Sequence, residues 1–287
     1  MAEDQNTESN NSNSGVFDAY IPAQIARRIE VMGISKASLP AIPLLTLSIL
    51  AGAFIALGAM FYTVVVTDTG LGLGPTRLLG GLAFSLGLVL VIVGGAELFT
   101  GNSLIVMGWA HGKVRFSGMM RNWAFAYVGN LMGAVGMAVL AFWSGYLHMG
   151  DDAVATTVIK IAVGKTQLPF DVAFVRGLLC NVLVCLAVWL CFAAHTVTSK
   201  ILAIIFPISA FVTLGFEHSI ANMFFIPLGM LAAGDPTLLA ASGIDAAMSP
   251  TLAGFVANIV PVTLGNIVGG GVFVALSYYM VYLYGRD

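Results

Sequence analysis

The chain has 287 residues, of which 59% are hydrophobic and only 9% are charged. Soluble domains carry about 25% charged residues, and a mean hydropathy of +0.94 excludes that class and leaves a polytopic membrane protein. The formal net charge of −2 says nothing about partners, but the absence of a basic block argues against nucleic acid.

The opening stretch, "MAEDQNTESNNSNSG", is polar and low in complexity, so residues 1–16 are expected to form a disordered tail. No charged-then-apolar leader precedes the body, and the first span is expected to act as its own insertion signal. Residues 17–38 contain "AYIPAQIARRIEVMGISK". Pro22 suits a first helical turn, and Ile25, Ile29 and Met32 fall on one helical face. The spacing predicts an amphipathic helix on the inner membrane surface, read as an anchor or as a gate.

Residues 39–287 read as a single all-α domain in the lipid bilayer. Apolar stretches lie near 44–66, 78–111, 122–147, 172–194, 201–233 and 255–284. A bilayer core needs about 20 helical residues. The first, third and fourth stretches each fit one straight helix, and the sixth fits a long or tilted one. The second and fifth do not: 201–233 as one helix would be about 50 Å long. Glycines and polar residues interrupt both, as "GGAELFTGN" at 94–102 and "GFEHSIAN" at 215–222. Each flank is read as too short to span alone. Two half-helices joined by an irregular loop are expected, a backbone tolerated at membrane depth only inside protein or along a wet cavity.

Arg27, Arg28, Lys36, Lys113, Arg115, Arg121, Lys200 and Arg286 fall in one set of connecting segments, and Arg77, Lys160, Lys165 and Arg176 in the other. The excess puts both termini in the cytoplasm. Cys180, Cys185 and Cys191 share one apolar stretch, match no zinc or disulfide spacing, and read as small core residues.

The two interruptions repeat a pattern. Gly95, Glu97 and Asn102 have the spacing of Gly215, Glu217 and Asn222, and "GNLMG" at 129–133 matches "GNIVG" at 265–269. The halves run about 44–147 and 172–284. Each holds three spans, an odd number, so the second enters the membrane upside down. That is the inverted-repeat plan of channels and transporters, with the site between broken helices at the midplane.

Glu97, Glu217 and His218 are the only ionisable residues deep in a span. A charge there costs roughly 2.5–3.5 kcal/mol on insertion scales. The glutamates recur symmetrically and are expected to accept backbone N–H bonds that hold the loops in shape. His218 has Leu98 as its counterpart; it breaks the symmetry and reads as functional. The half-helices starting near Asn102 and Asn222 would turn their N–H groups to the midplane, an anion site to which Thr100 adds a hydroxyl donor. Phe84, Leu88, Leu98 and Phe211 are either core packing or constrictions that exclude hydrated ions.

The segments "GGAELFTGN", "GFEHSIANMFFIP" and "PVTLGNIVGGG", with "RNWAFAYVGNLMGA" and "CNVLVCLAVW" between them, resemble the signature segments of the formate/nitrite transporter family over about 17–285, and its formate channels most closely. Glu97 stands where some of those channels carry Asp. The resemblance implies an aquaporin-like six-span fold, a homopentamer with one pore per protomer, and formate or a similar small monovalent anion as substrate. It implies no cofactor or metal, and a bacterial inner (plasma) membrane setting. By the same resemblance Thr100 faces a central pore histidine, His218. Leu88, Leu98, Phe84, Phe211 and Val184 form the constrictions, Asn181 lines the pore, Lys165 stands in the outer vestibule, and Asn266 holds a broken-helix loop.

Nitrite or hydrosulfide is the alternative substrate within the class. A neutral-solute pore is a second class, although the paired Asn-Pro-Ala loops of water channels are missing. An intramembrane hydrolase using Ser219 beside His218 is a third; neighbours in a loop rarely reach the geometry of a Ser–His pair, and no enzyme is expected.

Overall fold

The computed structural model describes residues 19–286, which are helices and connecting turns with no β-strand among them. The disordered tail expected over 1–16 lies outside the described residues. Helix α1, Pro22–Ser38, starts on Pro22 and buries Ile25, Ala26, Ile29 and Gly33 along one stripe. Helices α2, Ala41–Val66, and α3, Leu73–Gly94, follow as two apolar crossings. Gly95 ends α3 in the left-handed region at φ 81, a conformation that favours glycine. A loop leads to the single turn Gly101–Leu104 and the short helix α4, Ile105–Ala110. Helix α5, Phe116–Trp143, crosses again.

The second half repeats this order. Helix α6, Ala153–Thr166, precedes α7, Phe170–Ala193, and α8, Val197–Thr213. Gly215, at φ 72, turns the chain as Gly95 does. Then come α9, Ser219–Ala233, the short α10, Pro236–Ser242, and α11, Leu252–Ile267. The last helix continues through a wide-turned π-helical segment, Val268–Leu276, into α12, Ser277–Tyr282.

In the first half α2 packs on α5 and α3, and α1 on α4; in the second α7 packs on α11 and α8, and α6 on α9. Helices α3 and α8 join the halves. Helices α1 and α12 touch, so both ends lie on one face, called here the terminal face, with α6 on the far face. The outward surface is apolar: Ile42 is 81% exposed, Phe206 76% and Trp143 75%. Such a surface needs lipid or a neighbouring protomer over it.

Two expectations change. The flanks of the breaks are not all too short to span: α3 has 22 residues and meets the length of a crossing by itself. Its break loop is a detour beyond a nearly complete crossing, whereas α8 and α9, of 17 and 15 residues, share theirs more evenly. The repeat is also longer than three spans, because α1 and α6 occupy equivalent places before α2 and α7.

The matching G-N-x-x-G motifs explain how the crossings close. A Cβ on Gly133 would collide with the Ile49 carbonyl, and one on Gly265 or Gly269 with those of Phe174 and Leu178. Only hydrogen at these places lets α5 lie against α2 and α11 against α7 backbone to backbone, the usual device where water does not drive helices together.

Candidate functional site

Each break loop is pinned by the asparagine inside its G-N-x-x-G motif. Asn130 Oδ1 accepts from Phe99 N at 2.9 Å, while its Nδ2 donates to Ser48 O at 2.7 Å and Glu97 O at 2.9 Å. Asn266 Oδ1 accepts from Ser219 N at 2.9 Å, and its Nδ2 donates to Gly177 O at 2.7 Å and Glu217 O at 3.1 Å. Every bond of one amide has its counterpart in the other. Both satisfy backbone groups that cannot find water.

The glutamates hold the loops by other partners than expected. Glu97 Oε1 accepts from Lys36 Nζ at 2.6 Å and Oε2 from Asn102 Nδ2 at 2.9 Å. Glu217 takes Lys165 Nζ on both oxygens at 3.1 Å and Asn222 Nδ2 at 2.7 Å. The loop backbone N–H groups expected to serve these carboxylates go elsewhere: Glu97 N donates to Leu47 O, and Glu217 N to Arg176 O. The reason is electrostatic. A carboxylate buried to 5–6% exposure needs a full counter-charge, which an amide dipole does not supply. Asn122 and Asn258 complete each cluster; they accept from Asn102 and Asn222 and donate to the carbonyls of Lys36 and Lys165.

Sequence reading missed Lys36, Asn122 and Asn258 as site residues. A signal was present, since an asparagine stands eight residues before Asn130 and Asn266 alike. Lys165, expected in the outer vestibule, is also the ion-pair partner of Glu217, which the sequence did not reveal.

The halves differ where they meet. Thr100 Oγ1 lies 2.9 Å from His218 Nε2, with both residues buried. Leu98 and Ile220 take the corresponding places in the opposite loops, so there is one such pair and not two. His218 Nδ1 accepts from Ala221 N at 3.1 Å and caps α9. A nitrogen that accepts a backbone N–H carries no proton, so the ring is neutral with its hydrogen on Nε2. That hydrogen goes to Thr100 Oγ1, which leaves the threonine hydroxyl hydrogen free to donate to a third group.

Two chambers flank this pair. One of about 310 Å³ opens toward the far face and is lined by His218, Phe84, Phe211, Arg77, Lys165 and Arg176, among others. The other, of about 240 Å³, opens toward the terminal face, with Leu88, Leu98, Arg28, Lys36 and Lys200 in its wall. Phe84 and Phe211 meet edge to face at 5.7 Å, and Phe211 lies parallel to the His218 ring at 6.0 Å. Phe84 bounds the far chamber and Leu88, one turn along α3, the terminal one. The barrier between them is therefore about 6 Å thick along that helix.

Val184 and Asn181 line neither chamber. Val184 is 1% exposed core on α7. Asn181, expected along the pore, is fully buried, as Thr100 is. Its Nδ2 shares its two hydrogens among Thr100 O at 3.1 Å, Ser103 Oγ at 3.2 Å and Asn266 O at 2.6 Å, tying the first loop and α11 to the middle of α7.

Similarity to known proteins covers this whole arrangement. Formate channel FocA of Escherichia coli strain K12 is 37% identical over 277 residues, 94% of this chain and 97% of its own. A probable formate transporter of Methanothermobacter thermautotrophicus is 40% identical over 279 residues, 91% and 97% of the two chains. Among solved structures, a pentameric formate channel with formate bound superposes with a TM-score of 0.79 at 40% identity over 85% of this chain and 98% of that one. An FNT family ion channel gives 0.79 at 31% identity over 90% and 98%. The profile of the formate/nitrite transporter family matches residues 23–280, and the chain belongs to that family.

Proposed function

We propose that the protein is a homopentameric channel for formate and related small weak-acid anions, with one pore per protomer. The observation that carries this reading is the buried Thr100–His218 pair between two cation-bearing chambers, walled off by Phe84, Phe211, Leu88 and Leu98. Ser219 Oγ has no hydrogen-bond partner and is not bonded to His218, which favours transport over hydrolysis. Arg27, Arg28, Lys113, Arg115, Arg121, Lys200 and Arg286 at the terminal face support a cytoplasmic location for both ends in the bacterial inner membrane.

Passage is linked to a proton. Desolvating a bare anion fully costs tens of kcal/mol. An acid of pKa near 4 is protonated at neutral pH for about 4 kcal/mol, at about 1.4 kcal/mol per unit. Protonation is the cheaper route past Phe84 and Leu88. The free Thr100 hydroxyl hydrogen receives the anion. His218 gives up its bond to Ala221 N and takes a proton from solvent in the far chamber, which it lines, onto Nδ1. It passes its Nε2 proton to Thr100, whose own hydrogen goes to the carboxylate. The acid crosses neutral, and the ring is left uncharged.

Formate uptake into proteoliposomes tests this between mildly acidic and mildly alkaline pH. Wild-type flux is expected to rise as the pH falls, and His218→Asn, which keeps hydrogen bonding but not titration, to give a flat profile. Identical profiles for the two proteins refute the relay. Nitrite, hydrosulfide and osmotic water flux in the same vesicles separate formate from the alternative solutes.

A further inference from the structure

Both chambers hold more positive charge than their own ion pair consumes. In the far chamber Lys165 is matched by Glu217, and Arg77 and Arg176 remain without an acidic partner among the described residues. Both attach to the same turn. Arg77 Nη1 donates to Thr213 O at 3.3 Å, and the Arg176 carbonyl accepts from Glu217 N at 3.2 Å. Both residues line the far chamber, Arg77 from α3 and Arg176 from α7. In the terminal chamber Lys36 is matched by Glu97, leaving Arg28 and Lys200. There Arg28 lies over the Tyr20 ring at 4.0 Å, and the other cation is an ammonium. The far chamber is the larger, and it alone offers two guanidinium forks, the geometry that suits carboxylates.

A monovalent substrate neutralises half of this surplus. The geometry points to a binding site in the far chamber, built on Arg77 and Arg176, for a small dicarboxylate that blocks the pore without crossing it. The physical reason lies in the barrier. One proton gained at the Thr100–His218 pair makes formate neutral. The same proton leaves a dicarboxylate with one charge, which Phe84 and Phe211 exclude. The better an oxyanion matches the paired arginines, the less able it is to pass. This inference rests on the reading of the chambers as anion vestibules and of the pair as a one-proton exchange.

Malonate is the probe, at constant ionic strength adjusted with chloride. Calorimetric titration of the detergent-solubilised protein is expected to detect malonate binding, and malonate is expected to inhibit formate flux in proteoliposomes without itself accumulating. Arg176→Gln is expected to weaken both by about tenfold, the loss of one charge-assisted hydrogen bond. Arg176→Lys keeps the charge but not the fork, and serves if the glutamine variant does not fold; it is expected to fall between. Arg28→Gln in the terminal chamber is expected to leave malonate affinity within twofold. Malonate that neither binds nor inhibits while formate flows overturns the inference and leaves the channel reading intact. So does malonate that is transported, or an Arg28→Gln effect larger than that of Arg176→Gln. Absent formate flux defeats the channel reading itself, and the titration then still decides whether the arginine site exists.

Discussion

At the residue scale, the side chains that organise the pore are mostly not those that touch what passes. Glu97, which is buried, and Lys36, which is partly exposed to the terminal chamber, form an ion pair whose partners depend on each other. Removing one partner of a buried pair typically costs 3–5 kcal/mol, while removing both is often close to neutral. Glu97→Gln is therefore expected to lower the melting temperature in detergent more than the double substitution Lys36→Met with Glu97→Gln. The opposite order refutes the pairing as a stabilising unit. Asn130→Ala strips partners from Phe99 N and from the carbonyls of Ser48 and Glu97. A loss of about 3 kcal/mol is expected from buried groups left unsatisfied, read as a lower melting temperature, and Asn266→Ala is expected to match it. The asparagines were legible because they recur at equal spacing. The lysines were not, because Lys36 lies 61 residues from Glu97 in a helix whose sequence shows only amphipathic spacing.

At the element scale, close helix contact is set by where glycine stands on each face. Gly133 faces the α2 backbone, whereas a Cβ on Gly136, one turn along α5, meets nothing within 4 Å. Gly133→Ala is expected to disrupt the α2–α5 crossing and lower the yield of folded protein. Gly136→Ala is expected to be neutral or stabilising by up to about 1 kcal/mol. Equal effects in a paired thermal-stability assay refute the contact. The π-helical segment near the C-terminus has a similar logic. A Cβ on Gly270 would strike Asn181 Nδ2, Cys185 Sγ and Ser103 Cβ, the residues surrounding Thr100. The wide turn seats this glycine against the centre, and the triple glycine of "GNIVGGG" marks the place without revealing the π geometry.

At the scale of the whole molecule, two inverted halves build one site. The scaffold is symmetric in Glu97 and Glu217, Asn130 and Asn266, and Lys36 and Lys165, while the chemistry is asymmetric in Leu98 and His218. The proposed orientation puts Lys113 inside the cell and Asp151 outside. In intact cells, Asp151→Cys is expected to react with an impermeant thiol reagent and Lys113→Cys to stay unlabelled; the native Cys180, Cys185 and Cys191 are buried. The reverse labelling pattern overturns the orientation. Composition and hydropathy by themselves determined that the chain is a membrane bundle, because a bilayer imposes a length and an apolar content that any segment displays locally. The repeated Gly, Glu and Asn spacings determined where two helices break and that the halves are inverted. Only the tertiary structure decided that each carboxylate is neutralised by a lysine from a surface helix and that Asn181 ties the first loop to α11, and it set Thr100 and His218, which only the family resemblance had paired, 2.9 Å apart across 118 residues. Those facts depend on which residues the two halves bring face to face, and spacing along one chain carries no information about contact between elements until the helices pack.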